Sequence, residues 1–159
     1  MPDAATAARA QSIIDGLSAG LSAPRFVPHV TLVGSMLEGE DELIRVSGGI
    51  AGRIRAITAE FESVGRLEDY FRSLFIRLVK SKELQAANDI ANRALGREVD
   101  IRYMPHMSLL YSNIANKEKE GLIRKLPDIS GGLVLERVEL WRTTGRVAEW
   151  GRVAEFRLL

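Results

Sequence analysis

Phe26-Val27-Pro28-His29-Val30-Thr31-Leu32-Val33 returns, nearly residue for residue in type, as Tyr103-Met104-Pro105-His106-Met107-Ser108-Leu109-Leu110. Each octapeptide reads aromatic, aliphatic, Pro, His, aliphatic, hydroxyl, Leu, aliphatic. The chain has only two histidines, and both occupy this frame, 77 positions apart. Side chains alternate along an extended chain, so residues i and i+2 share a face. His29 therefore projects with Thr31, and His106 with Ser108.

Outward from these motifs, apolar periodicity predicts the remaining elements. Ala10, Ile13, Ile14, Leu17 and Leu21 form a helical stripe across residues 4–21, ended by Gly20 and Ser22-Ala23-Pro24. The first motif reads as a strand over 26–35, with Pro28 marking an edge or a bend. Glu40, Asp41 and Glu42 suit the start of a helix over 40–53, which the Gly48-Gly49 pair is expected to weaken or kink. Strands follow over 56–64 and 70–79 as a hairpin, the latter placing Arg72 and Arg77 on opposite faces. Ser81 caps a helix closed by Gly96. The second motif strand covers 101–111, and Asn116 caps a helix stopped by Pro127. Strands over 133–142 and 149–158 finish the chain, with Trp141 and Trp150 read as sheet-packing aromatics.

This order matches itself around the two motifs, except that the first half lacks one strand ahead of residue 4. Duplication relates equivalent residues by a pseudo-two-fold axis. The expected fold is α+β: a duplicated, bilobal arrangement of two antiparallel sheets flanked by helices, with a central cleft between the motif strands. Residues 1–159 make a single two-lobed domain, long enough to bury a core.

Composition narrows the function. A formal net charge of +1 argues against coating a nucleic acid by bulk electrostatics. With no cysteine, disulfides and thiolate metal sites are excluded. No apolar run approaches a membrane span, and the reading is a soluble, cytoplasmic protein without a membrane partner.

Two imidazoles that titrate near neutrality supply a general base and a general acid. Two hydroxyls supply neutral donors to the non-bridging oxygens of a bound anion. The set suits in-line displacement at phosphorus: one histidine deprotonates water, and the other protonates a departing ribose oxygen. A zinc site would want a third ligand, and neither motif has an acidic residue close by. A hydroxyl nucleophile is disfavoured because Thr31 and Ser108 point alongside the histidines of their own strands. Arg25 and Arg102 flank the motifs and are candidates to attract a phosphate.

These residues resemble the two-histidine (2H) phosphoesterase superfamily, defined by paired His-x-Thr/Ser motifs. The fuller forms, from Pro24 to Thr31 and from Tyr103 to Tyr111, look most similar to the plant and yeast cyclic phosphodiesterases. The resemblance implies a metal-independent enzyme without cofactor. It would hydrolyse nucleoside 2′,3′-cyclic phosphates to 2′-phosphates, and ADP-ribose 1″,2″-cyclic phosphate to ADP-ribose 1″-phosphate. His29 and His106 match the catalytic pair, and Thr31 and Ser108 the phosphate-holding hydroxyls. Tyr111 matches a tyrosine of the substrate pocket, which requires a bend after Ser108. The family chain normally opens with a strand carrying a pocket aromatic, and here Met1-Pro2-Asp3 stands in its place. The implied partner is a small cyclic phosphate rather than a stably held nucleic acid. A monomer is expected, or a dimer if a sheet edge is left open. The alternatives are action on the 2′,3′-cyclic ends of RNA, and a non-catalytic nucleotide- or RNA-binding module.

Overall fold

The computed structural model describes all 159 residues. Helix α1 (Ala4–Leu21) begins where the Asp3 carboxylate accepts the Thr6 N–H at 2.9 Å. It ends at Ser22, left-handed at φ 52°. Its stripe buries Ala10 and Ile14, and Ser18 on the same side donates to the Pro24 carbonyl at 3.0 Å, fixing the exit turn. Helix α2 (Glu40–Ala51) runs straight through the Gly48-Gly49 pair that was expected to weaken it. A Cβ on Gly48 would meet the Phe156 ring at 3.2 Å, so glycine here permits close packing of the helix on the last strand. Helix α3 (Lys82–Ala94) has Ser81 as its N-cap, accepting the Leu84 N–H at 3.2 Å as the sequence predicts.

Strands β1 (Ile57–Arg66), β2 (Leu74–Leu78), β3 (His106–Leu110) and β4 (Gly132–Leu135) form an antiparallel sheet in the order β3-β2-β1-β4. Strands β5 (Arg137–Arg142) and β6 (Gly151–Arg157) form a second antiparallel sheet. The two sheets and the helices give the expected α+β architecture. Strand β2 is buried on both faces through Leu74, Phe75, Ile76 and Leu78, each of which contributes roughly 1.5–3 kcal/mol of apolar burial. Ahead of α1, Pro2 pairs antiparallel with Leu135, and the Asp3 N–H donates to the Val134 carbonyl at 2.8 Å. No helix is long and apolar enough to cross a membrane.

Several predicted boundaries are corrected, each for an identifiable reason. The segment 26–35 carries a single antiparallel bridge, Val30 to Met107, instead of a ladder, then bends at Leu32 and Val33 and turns left-handed at Ser35, φ 56°. Pro28 has no N–H, and side chains satisfy the carbonyls: Gln11 donates to Phe26, Tyr103 to Thr31 and Asn88 to Leu32. The predicted strand over 70–79 starts only at Leu74. Tyr70–Arg72 is a 3-10 turn, because the Asp69 carboxylate accepts the N–H groups of Phe71 and Arg72, both at 3.0 Å. The predicted strand over 133–142 splits at Glu136 and changes sheets, Leu135 pairing with Ile57 and Arg137 with Arg157. Helix α4 (Asn116–Ile123) is capped by Glu118, whose carboxylate accepts the Ala115 N–H at 3.0 Å, while Asn116 donates instead to Glu68.

Candidate active site

Val30 and Met107 are the fifth residues of the two octapeptides, and they pair antiparallel with each other. An antiparallel pair of equivalent residues is related by a local two-fold axis through the bridge. The repeat in the sequence therefore becomes a symmetry of the site. This register sets His29 across from Ser108 and Thr31 across from His106, all four on the face opposite Val30 and Met107. Met107 is fully buried on the other side, which pins the register.

The symmetry extends to the imidazoles. His29 Nδ1 lies 2.7 Å from the Val27 carbonyl oxygen, and His106 Nδ1 lies 2.9 Å from that of Met104. A carbonyl only accepts, so both rings donate from Nδ1–H to the residue two positions earlier. In the neutral ring Nε2 is then left with its lone pair, as a general base requires. Burial lowers the pKa of His29 below 6.5, and the nearby His106 lowers it further. Burial likewise lowers His106, and Arg72 adds to the effect. Both shifts favour the neutral ring at pH 7.

His106 also has a packing support. Phe75 meets it edge-on, with ring centroids 5.3 Å apart. Phe75 pairs across the ladder with Gly65, where a Cβ would lie 2.6 Å from its ring carbons. Only glycine leaves room for that ring, so Gly65 acts on the site through Phe75. Tyr103 ties the motifs together by donating its hydroxyl to the Thr31 carbonyl at 3.2 Å.

The hydroxyls differ. Ser108 is buried and donates to the Phe71 carbonyl at 2.8 Å, whereas Thr31 is exposed on the cleft wall. Tyr111 reaches the cleft because a bulge at Leu109, where Leu74 pairs with Leu110 and Phe75 with Ser108, supplies the required bend. Its ring stacks on Phe26 at 3.7 Å and 9° and is only 3% exposed, so it is largely a packing aromatic. Arg25 lines the cleft and lies 3.7 Å from Asp15. Arg102 stands in an exposed turn outside the cleft lining. Arg77 pairs with Glu62 at 3.6 Å, and Arg72 is the one of that pair that lines the cleft.

The cleft, about 1250 Å3, also takes in Asp69, Phe71 and Trp150, which the sequence reading missed. Asp69 carried the only local signal, as a turn-forming residue ahead of Tyr-Phe-Arg. Each arginine lining the cleft already has a carboxylate partner. Arg72 meets Asp69 at 2.9 Å, Arg137 meets Glu139 at 2.9 Å, Arg142 meets Glu40, and Arg25 has Asp15. The lining is close to charge-neutral.

The sequence model of the 2′-5′ RNA ligase superfamily matches residues 2–146. This chain belongs to that superfamily, the two-histidine phosphoesterases. Among its relatives is a cyclic phosphodiesterase from Arabidopsis thaliana, 27% identical over 133 residues that cover 84% of this chain and 74% of the relative. The superfamily fold is also evident in solved structures. E. coli LigT complexed with 3′-AMP superposes with a TM-score of 0.59 at 16% identity, covering 95% of this chain and 92% of LigT. LigT in apo form gives 0.57 at 17% identity, covering 95% and 91%. At such identities the likeness to LigT shows the fold alone.

Proposed function

We propose that this chain hydrolyses cyclic phosphodiesters with His29 and His106 as its general acid–base pair and without a metal. The observation that carries the reading is the pair of imidazoles, each anchored through Nδ1 to the carbonyl two residues earlier, on one face with both hydroxyls across from them. The cyclic phosphodiesterase relative supports the same reaction class.

A cyclic phosphate bound on this face has its phosphorus between the two Nε2 atoms. The neutral histidine takes a proton from water as the water oxygen attacks phosphorus in line. The opposite bond, from phosphorus to a ribose oxygen, breaks, and the protonated histidine gives its proton to that oxygen. The bound anion supplies the second proton's stability, because negative charge beside an imidazole favours its charged form. Thr31 and Ser108 hold the non-bridging oxygens. Ser108 turns its hydroxyl from the Phe71 carbonyl to do so. For a nucleoside 2′,3′-cyclic phosphate the product is the 2′-phosphate, and ADP-ribose 1″,2″-cyclic phosphate presents the same five-membered ring.

The charge-neutral lining favours nucleoside 2′,3′-cyclic phosphates, which carry a single negative charge, over RNA ends and over ADP-ribose 1″,2″-cyclic phosphate with its added diphosphate, since each cationic side chain of the cleft is already partnered. Turnover tests the reading. His29→Ala and His106→Ala are each expected to abolish hydrolysis of a nucleoside 2′,3′-cyclic phosphate while keeping the thermal transition. Full activity in either variant refutes the assignment. Treatment of the purified chain with a chelator is expected to leave the rate unchanged.

A further inference from the structure

We infer, on the phosphodiester reading above, that Asn88 and Tyr103 are positioning residues: together they clamp the backbone that leaves the first motif, and so hold the Thr31 hydroxyl where it meets the bound phosphate. Neither touches the reacting atoms, and both act through Thr31.

The two phosphate-holding hydroxyls are supported in different ways. Ser108 sits within a ladder, opposite Phe75, and its side chain is anchored on the Phe71 carbonyl at 2.8 Å. Thr31 lies one residue beyond the single bridge of its segment, is exposed, and is followed at once by the bend at Leu32 and Val33. Side-chain donors take the place of the ladder there. The Tyr103 hydroxyl donates to the Thr31 carbonyl at 3.2 Å, and Asn88 Nδ2 donates to the Leu32 carbonyl at 2.7 Å. These are the first two carbonyls after the Thr31 side chain, so fixing them fixes where it points. Phe26 holds in the first octapeptide the place that Tyr103 holds in the second, and it lacks the hydroxyl. The second motif, already held by its ladder, needs no such donor.

Asn88 is oriented for this contact. It lies on the buried face of α3 with Leu84, Ala87 and Ala91, and is 3% exposed. A buried amide is unfavourable unless it is hydrogen-bonded. Asn92, one turn further on, donates from Nδ2 to Asn88 Oδ1 at 3.0 Å. With that oxygen occupied, and with a carbonyl able only to accept, Asn88 must present its NH2 group to Leu32. Arg97 extends the clamp by donating to the Gly34 and Ser35 carbonyls at 2.9 and 2.8 Å. All of these donors lie on α3 or between α3 and β3, so the second half of the chain positions the first motif.

Mutant cycles on the full chain test the clamp, read as kcat on adenosine 2′,3′-cyclic phosphate. Tyr103→Phe removes one hydroxyl and keeps the ring, and Asn88→Leu removes the amide at similar volume. Each should lower kcat about tenfold, and by no more than Thr31→Val, because removing a donor to a developing anion costs about 100-fold or more and misplacing it costs part of that. In the Thr31→Val background the same substitutions should change kcat by less than about twofold, whereas in the Ser108→Ala background the full factor should persist. Equal losses in the two backgrounds mark a general structural role and overturn the inference, as does an unchanged kcat in Tyr103→Phe. If the thermal transition shows that Asn88→Leu does not fold, Tyr103→Phe decides the matter through the same cycles. Calorimetric binding of adenosine 2′-phosphate to these variants supplies the cycles without turnover. Absence of hydrolysis by the wild-type chain therefore counts against the phosphodiester reading, and a clamp whose effect ignores Thr31 counts against this inference.

Discussion

Replacing Gly65 by alanine should damage His106 without touching it. The added Cβ falls 2.6 Å from two carbons of the Phe75 ring. Carbon atoms pack best at roughly 3.5–4.0 Å, so the ring must withdraw by about 1 Å. Phe75 is 1% exposed and cannot turn into solvent. Its edge faces the His106 ring at 5.3 Å, so part of the displacement passes to that imidazole. Overpacking of this kind costs about 1–3 kcal/mol, and a misplacement near 1 Å at a reacting group costs about 100-fold in rate. Urea denaturation and kcat on a nucleoside 2′,3′-cyclic phosphate measure the two effects separately. The double variant Gly65→Ala/Phe75→Leu should recover much of the turnover, because the smaller side chain makes room for the methyl group, and the cycle should show coupling. Wild-type stability and turnover in Gly65→Ala would refute the path from Gly65 through Phe75 to His106.

Other consequences are as direct. Burial lowers both histidine pKa values below 6.5, and the free enzyme needs one charged ring, so kcat/KM should peak below pH 6.5. The optimum of kcat should lie higher, since bound anion raises both values, and a kcat/KM that climbs beyond pH 8 contradicts the pair. In the same direction, the unfolded chain binds more protons than the folded one as pH drops through 6.5. Stability measured by denaturant should then fall toward acid, and less steeply in His29→Gln. Ser108→Ala should reduce kcat by about 2–4 kcal/mol of transition-state stabilisation, with Thr31→Ala on the same scale, measured by steady-state kinetics. On an RNA oligomer the dependence of log(kcat/KM) on log salt should be no steeper than one phosphate contact, about −0.7, because the cleft arginines are already paired.

Much of this site was legible in the chain before folding. The pairing of His29 with Thr31 and of His106 with Ser108 follows from the two-residue period of an extended backbone, and needs no partner strand. The α1 stripe and the Ser81 cap are local in the same sense: their hydrogen bonds and periodicity close within a few residues. Phe71 was not legible as a cleft residue, and the sequence did not decide which of Arg72 and Arg77 faces the cleft. Phe71 and Arg72 sit in an apolar run that reads as strand, and the Asp69 cap that turns it into a 3-10 helix competes with that pattern by only two hydrogen bonds.

What the amino-acid order determined by itself is therefore the chemical inventory: two imidazoles, two hydroxyls and their shared frame. Tertiary structure alone decided how the inventory converges. The Val30–Met107 bridge, the bulge at Leu109 that turns Tyr111 toward the cleft, and the change of sheet at Glu136 all depend on residues far apart in the chain. No local propensity chooses among such registers. They are selected by which side chains the folded core can bury, Met107 beneath the bridge and Phe75 over Gly65. Through that burial a repeated octapeptide becomes one two-fold site.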